Sequence, residues 1–246
     1  MLSALRWLTD AGIDTLVEDA PQSWLAAAQA QLQARLTPSP APAPVPAETA
    51  APAPAAMTDL AALSSIEALQ AFLAEADTVP LRIANAAPLL QAGTPGADLM
   101  LLADMPSATD QRSGTPFSDD AGRLVDRMLA AVGRDRSAAY LANFCAWRTP
   151  SGQIDTGAAR DFWADAARRH VALAAPQSLL LLGNLPCQAL LGLDLAKARG
   201  RWHQIAIGDR TVPAIASFTP AWLLRQPAHK ALAWADLQLW RQGPPA

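Results

Sequence analysis

Four short apolar runs, at 99–103, 140–144, 179–182 and 214–218, recur along the chain. Helical patterns follow them, around 119–132, 157–174, 184–192 and 228–241. A run of four or five apolar residues without polar alternation suits a strand buried on both faces. Strands that alternate with helices form a parallel sheet covered on both sides. The expected class is therefore α/β: a three-layer α/β/α sandwich with a central, mainly parallel four-stranded sheet. One more helix, capped by Thr58 or Asp59 and running to about Ala76, places Leu60, Leu63, Ile66, Leu69, Phe72 and Leu73 on one side. The sandwich should span residues 58–243.

The rest of the 246-residue chain reads differently. Residues 37–57 are a Pro/Ala tract, expected as a disordered, mostly polyproline II linker. Residues 1–36 read as a small helical segment of two short helices, too small to hold a core alone and a candidate site for a protein partner. Two cysteines, Cys145 and Cys187, with no apolar run of membrane length and no export-type start, suggest a reduced, cytoplasmic setting and no membrane association. With three histidines beside them, neither a tetrahedral metal site nor an iron–sulfur cluster assembles convincingly.

Net charge is −3, but unevenly spread. Residues 1–78 carry two arginines against nine acids; residues 79–246 carry seventeen basic against thirteen acidic side chains, nearly all the basic ones arginine. That excess permits contact with phosphates, and equally fits a solvated mixed surface.

In open parallel sheets, ligands bind where the strands' C-terminal ends converge. Just past those ends lie Asp104 and Phe117 after the first run, Asn143 and Arg148 after the second, Gly183 and Asn184 after the third. After the fourth comes Thr219-Pro220-Ala221-Trp222-Leu223-Leu224-Arg225. An amide with an aromatic ring suits a flat heterocycle, and an apolar wedge backed by arginine suits insertion into a base stack. Each residue also has a plainer reading. Asn143 can be a turn former, Phe117 a core plug, Asp104 a turn cap, and Trp222-Leu223-Leu224 the core face of a short helix.

These residues carry a likeness. Ala103-Asp104-Met105-Pro106-Ser107 followed by Gly114-Thr115-Pro116-Phe117-Ser118 resembles the Gly-Glu-Ala-Pro-Gly and Gly-Arg-Pro-Phe-Val segments of bacterial family-4 uracil-DNA glycosylases. Tyr140-Leu141-Ala142-Asn143 is similar to that family's Tyr-Ile-Thr-Asn strand end, and Arg199-Gly200-Arg201-Trp202 matches its Arg-Gly-Arg-Trp run. Thr219 to Arg225 is similar to its closing His-Pro-Ala-Tyr-Leu-Leu-Arg motif. The likeness covers about residues 79–240.

The resemblance implies DNA, single- or double-stranded and containing uracil, as partner, with the protein a nucleoid-associated bacterial monomer in base-excision repair. It implies that Phe117 stacks on a flipped uracil, Asn143 reads its edge, and Trp222, Leu223, Leu224 and Arg225 contact DNA. Asp104 and Thr219 then stand at the catalytic positions, where the family has a glutamate and a histidine. Asp104 is one methylene shorter, about 1.5 Å of reach, and losing a histidine donor costs about 10²–10³ in rate. Of the family's four cluster cysteines, the first two have no counterpart between Ala76 and Asp98, the third falls on Trp147 and the fourth on Trp163. The expectation is that no cofactor and no metal is bound. Three readings stay open: a slow uracil-DNA glycosylase, an inactive DNA-binding relative, and a binder of small nucleosides or bases.

Overall fold

The computed structural model describes residues 60–154 and 156–244. The expected segments 1–36 and 37–57 lie outside the described residues.

The sheet has the four parallel strands read from the sequence, each end within four residues of the run that marks it. They are β2 (Leu99–Ala103), β3 (Ala139–Asn143), β4 (Ser178–Leu182) and β6 (Arg210–Ser217). Two antiparallel edge strands complete it: β1 (Gln91–Ala92) on β3, and β5 (Trp202–Ile207) on β6. The order β1-β3-β2-β4-β6-β5 makes a six-stranded sheet, two strands wider than the runs alone suggest.

Alternate strand residues face opposite sides. Met100, Leu102, Leu179 and Leu181 pack beneath α1 (Ile66–Glu75), α4 (Gly157–Ala174) and α5 (Asn184–Leu191). Leu101, Leu180, Leu182 and Ile215 pack beneath α3 (Asp120–Ala131) and α8 (Lys230–Gln242). Full burial on both faces explains why β2 and β4 read as unbroken apolar runs.

The helix starts follow their caps. Asp119 accepts from the N–H groups of Ala121 and Gly122 at the start of α3, and Thr156 accepts from that of Ala159 in α4. The helix expected over 58–76 is interrupted. A 3-10 turn occupies Leu60–Ala62, and α1 begins only at Ile66, where the Ser65 hydroxyl accepts from the Ala68 N–H at 3.1 Å. The Ser64-Ser65 pair offers the backbone local hydrogen bonds that compete with the helix.

Candidate active site

The chain runs from β2 to β3 on one side, then to β4 on the other. The direction therefore reverses between β2 and β4, the switch point where such sheets leave a crevice. Asp104 is the first residue past β2 at that crevice, and it turns toward β4. Its Oδ1 accepts from the Leu185 N–H, in the first turn of α5, at 3.0 Å. Beside it Gly183 has φ 112°, and a Cβ there would stand 2.3 Å from Oδ2. Only glycine admits the carboxylate at this depth.

Burial pushes the Asp104 carboxyl up from 3.8 to about 7, with the Leu185 N–H pulling it back. The group is therefore divided between acid and carboxylate near neutral pH, a state suited to proton transfer. The Cys187 thiol is pushed up to about 12, chiefly by burial and further by the Asp104 charge. It stays protonated and is no nucleophile.

The loop that follows is built on a buried carboxylate. Ser107 and Asp110 form a reciprocal capping box at the start of α2 (Ala108–Ser113), which ends at Gly114 in the left-handed region. Asp110 Oδ2 accepts from the Ser107 N–H at 3.0 Å; Oδ1 accepts from the Ser118 N–H at 2.7 Å and hydroxyl at 2.8 Å. One side chain thus pins both ends of the segment carrying Phe117.

Phe117 itself has φ 54°, a conformation that costs a non-glycine residue about 1–3 kcal/mol. Its carbonyl is clamped. Arg136 Nη2 donates to it at 2.8 Å, and a Cβ on Gly122 would lie 1.8 Å from it. The ring is 6% exposed and packs in the layer under α3, with Leu124, Leu182 and Leu223 in the same cluster. In this state the ring is a core plug.

Asn143 closes β3 on the same rim and is buried. Its Nδ2 donates to the Leu89 carbonyl at 3.0 Å, and its backbone N–H to the Leu90 carbonyl at 2.9 Å. The chain around β1 therefore fixes the amide plane. Asn143 is a strand residue whose side chain is oriented, not a turn former.

Thr219 follows β6 and caps α7 (Pro220–Arg225), its hydroxyl oxygen accepting from the Trp222 N–H at 3.2 Å. The hydroxyl proton remains free to donate. Successive residues on this helix point in different directions, so the expected wedge divides. Trp222 is 39% and Leu224 38% exposed, whereas Leu223 is 1% exposed and belongs to the core. Leu223 is therefore not displayed for DNA contact. Arg225 lies with its guanidinium carbon 5.7 Å from the Trp222 ring.

Trp147 and Trp163, which the resemblance sets at the third and fourth cluster positions, are fully buried and meet edge to face at 6.0 Å. Trp147 Nε1 donates to the Ala86 carbonyl at 3.2 Å. Indoles offer no thiolate to iron, so the side chains at these positions do not fit a cluster. The nearby Cys145 thiol is buried and pushed up to about 12.

Asp104, Asn143 and Thr219 thus share the rim of an open α/β sheet at its switch point, with Phe117 on the connecting loop. This arrangement is that of an open, mainly parallel α/β sheet with polar side chains gathered past its strand ends. Over residues 90–238 the chain matches the family model described as the uracil DNA glycosylase superfamily, and it belongs to that superfamily. It is similar to the type-4 uracil-DNA glycosylase of Archaeoglobus fulgidus, 24% identical over 55% of this chain and 71% of that one. It is also similar to the type-4 uracil-DNA glycosylase of Pyrobaculum aerophilum, 23% identical over 59% of this chain and 77% of that one.

Proposed function

We propose that this protein is a uracil-DNA glycosylase that works slowly and without an iron–sulfur cluster. Superfamily membership and the two type-4 relatives support the reaction class. The observation that carries the reading is Asp104: a part-buried carboxyl at the switch point, held by one backbone N–H and raised to about 7.

In this reaction water adds across the N-glycosidic bond. The sugar gains positive charge as the bond lengthens, and uracil leaves as an anion. The Asp104 carboxylate stabilises the sugar cation and takes the proton of the attacking water, directly or through a second water that spans the missing methylene. Asn143, its amide plane set by Leu89, reads the edge of the base. The Phe117 ring, packed in the core, braces the floor of the rim from beneath, its carbonyl held by Arg136 and given room by Gly122. Thr219 donates its hydroxyl proton toward a uracil oxygen while its lone pair caps α7. A neutral hydroxyl in place of a histidine leaves the departing anion poorly stabilised, which accounts for a slow rate. Trp222 and Leu224 enter the stack that uracil vacates, and Arg225 meets a phosphate.

The test is release of free uracil from single- and double-stranded DNA, leaving an alkali-labile abasic site. A second reading, an inactive DNA-binding relative, draws support from Thr219 serving as a cap and Asp104 being pinned to Leu185. Absence of product at enzyme excess over hours, with duplex binding intact, would select that reading.

A further inference from the structure

His229 lies ten residues beyond Thr219, as the last residue of the 3-10 turn Pro227–His229 that leads into α8. It makes no side-chain cap for that helix. Its ring meets Phe218 edge to face at 4.9 Å and Trp222 at 6.0 Å, the residues before Thr219 and three after it. Its Nδ1 is buried and has no hydrogen-bond partner among the described residues. Among the described residues, packing against two rings is what holds the imidazole.

The far side of this stack is anchored. The Arg199 guanidinium lies 4.3 Å over the Phe218 ring, and Arg199 donates from Nε to Asp236 Oδ2 at 2.8 Å, with Nη2 in ion-pair contact with the same oxygen at 2.7 Å. The Ser217 hydroxyl donates to the same oxygen at 2.7 Å. A buried ion pair thus fixes Phe218, Phe218 fixes His229, and His229 backs the exposed Trp222. A six-residue helix such as α7 has little stability of its own, so the direction of its exposed indole is set by such tertiary contacts.

We propose that His229 is a positioning residue for the wedge: clamped between Phe218 and Trp222, it presets the Trp222 indole to enter a DNA base stack. The inference rests on the DNA-acting reading above. An indole ordered before binding does not lose its rotational freedom on insertion, which favours the inserted complex.

The experiment reads base extrusion, which does not require bond cleavage. A duplex carrying 2-aminopurine beside uracil is saturated with the full chain, and the fluorescence of the unstacked base is measured per bound complex. His229→Ala should lower the extruded fraction about five- to tenfold, the loss of two edge-to-face contacts. His229→Phe, which keeps a ring and discards both nitrogens, should stay within about twofold of the unaltered protein. An unimpaired alanine variant would overturn the proposal. So would a phenylalanine variant as poor as the alanine one, since ring packing would then not be the role. No extrusion by the unaltered protein would overturn the wedge itself. Uracil release, measured separately, decides the glycosylase reading whichever way the extrusion result falls.

Discussion

Asp104→Asn keeps the side chain's shape and its acceptor for the Leu185 N–H while removing the titrating proton, so it isolates what the raised carboxyl does. In the folded protein the group releases its proton near pH 7; in the unfolded chain it does so near 3.8. Between those values the folded state holds a proton that the unfolded state has lost. Stability linked to this group is therefore complete below about pH 4, declines as pH rises, and levels off above about 7. The gap between the two values corresponds to about 4 kcal/mol, and water reaching one edge of the carboxyl reduces the expected effect to about 2–4 kcal/mol. Asparagine undergoes no such loss. Urea unfolding at pH 5, 6, 7 and 8 should show the variant gaining on the unaltered protein with each step. By pH 8 its Tm should be higher by roughly 5–15 °C. Asp236, raised by its own burial, and His170, lowered to about 3 by burial, titrate equally in both proteins and cancel in the difference. A stability gap that stays constant from pH 5 to 8 would refute the argument.

Four further variants test the site. Thr219→His should raise uracil release by about 10²-fold in single-turnover assays, by restoring a longer donor beside the leaving base. Gly122→Ala should lower chemical stability by more than about 2 kcal/mol in urea unfolding and displace Phe117, because a Cβ would overlap the Phe117 carbonyl at 1.8 Å. Leu223→Ala should cost about 2–5 kcal/mol of stability as a core truncation. Leu224→Ala should leave the Tm within about 1 °C and weaken duplex binding, measured by fluorescence anisotropy.

The parallel core was legible because β2, β3, β4 and β6 carry their own signal: apolar runs that have to be buried on both faces. The edge strands did not announce themselves. β1 is two residues long, and β5 opens inside the Arg-Gly-Arg-Trp run, where motif likeness overshadowed its alternation of covered and open positions. Helix α2 escaped because residues 108–113 have no apolar periodicity. Its signature is the capping spacing of Ser107 and Asp110, which also marks the buried carboxylate that pins the Phe117 loop. The rim residues were found at their strand ends, since the chain order alone puts them there. What each side chain touches was not legible. Gly183 and Gly122 matter through what a Cβ would strike, and Leu223 turns inward because α7 is a helix. His229 gains its place only when the turn after α7 folds back on Phe218.

The catalytic assignment of Asp104 meets its most direct test in the pH dependence of single-turnover uracil release from single-stranded DNA. The rate should rise about tenfold per pH unit below about 7 and then level off, as the carboxylate form fills. Asp104→Asn should release little or no uracil at any pH. A profile flat from pH 5 to 9, or an asparagine variant as fast as the unaltered protein, would contradict the account.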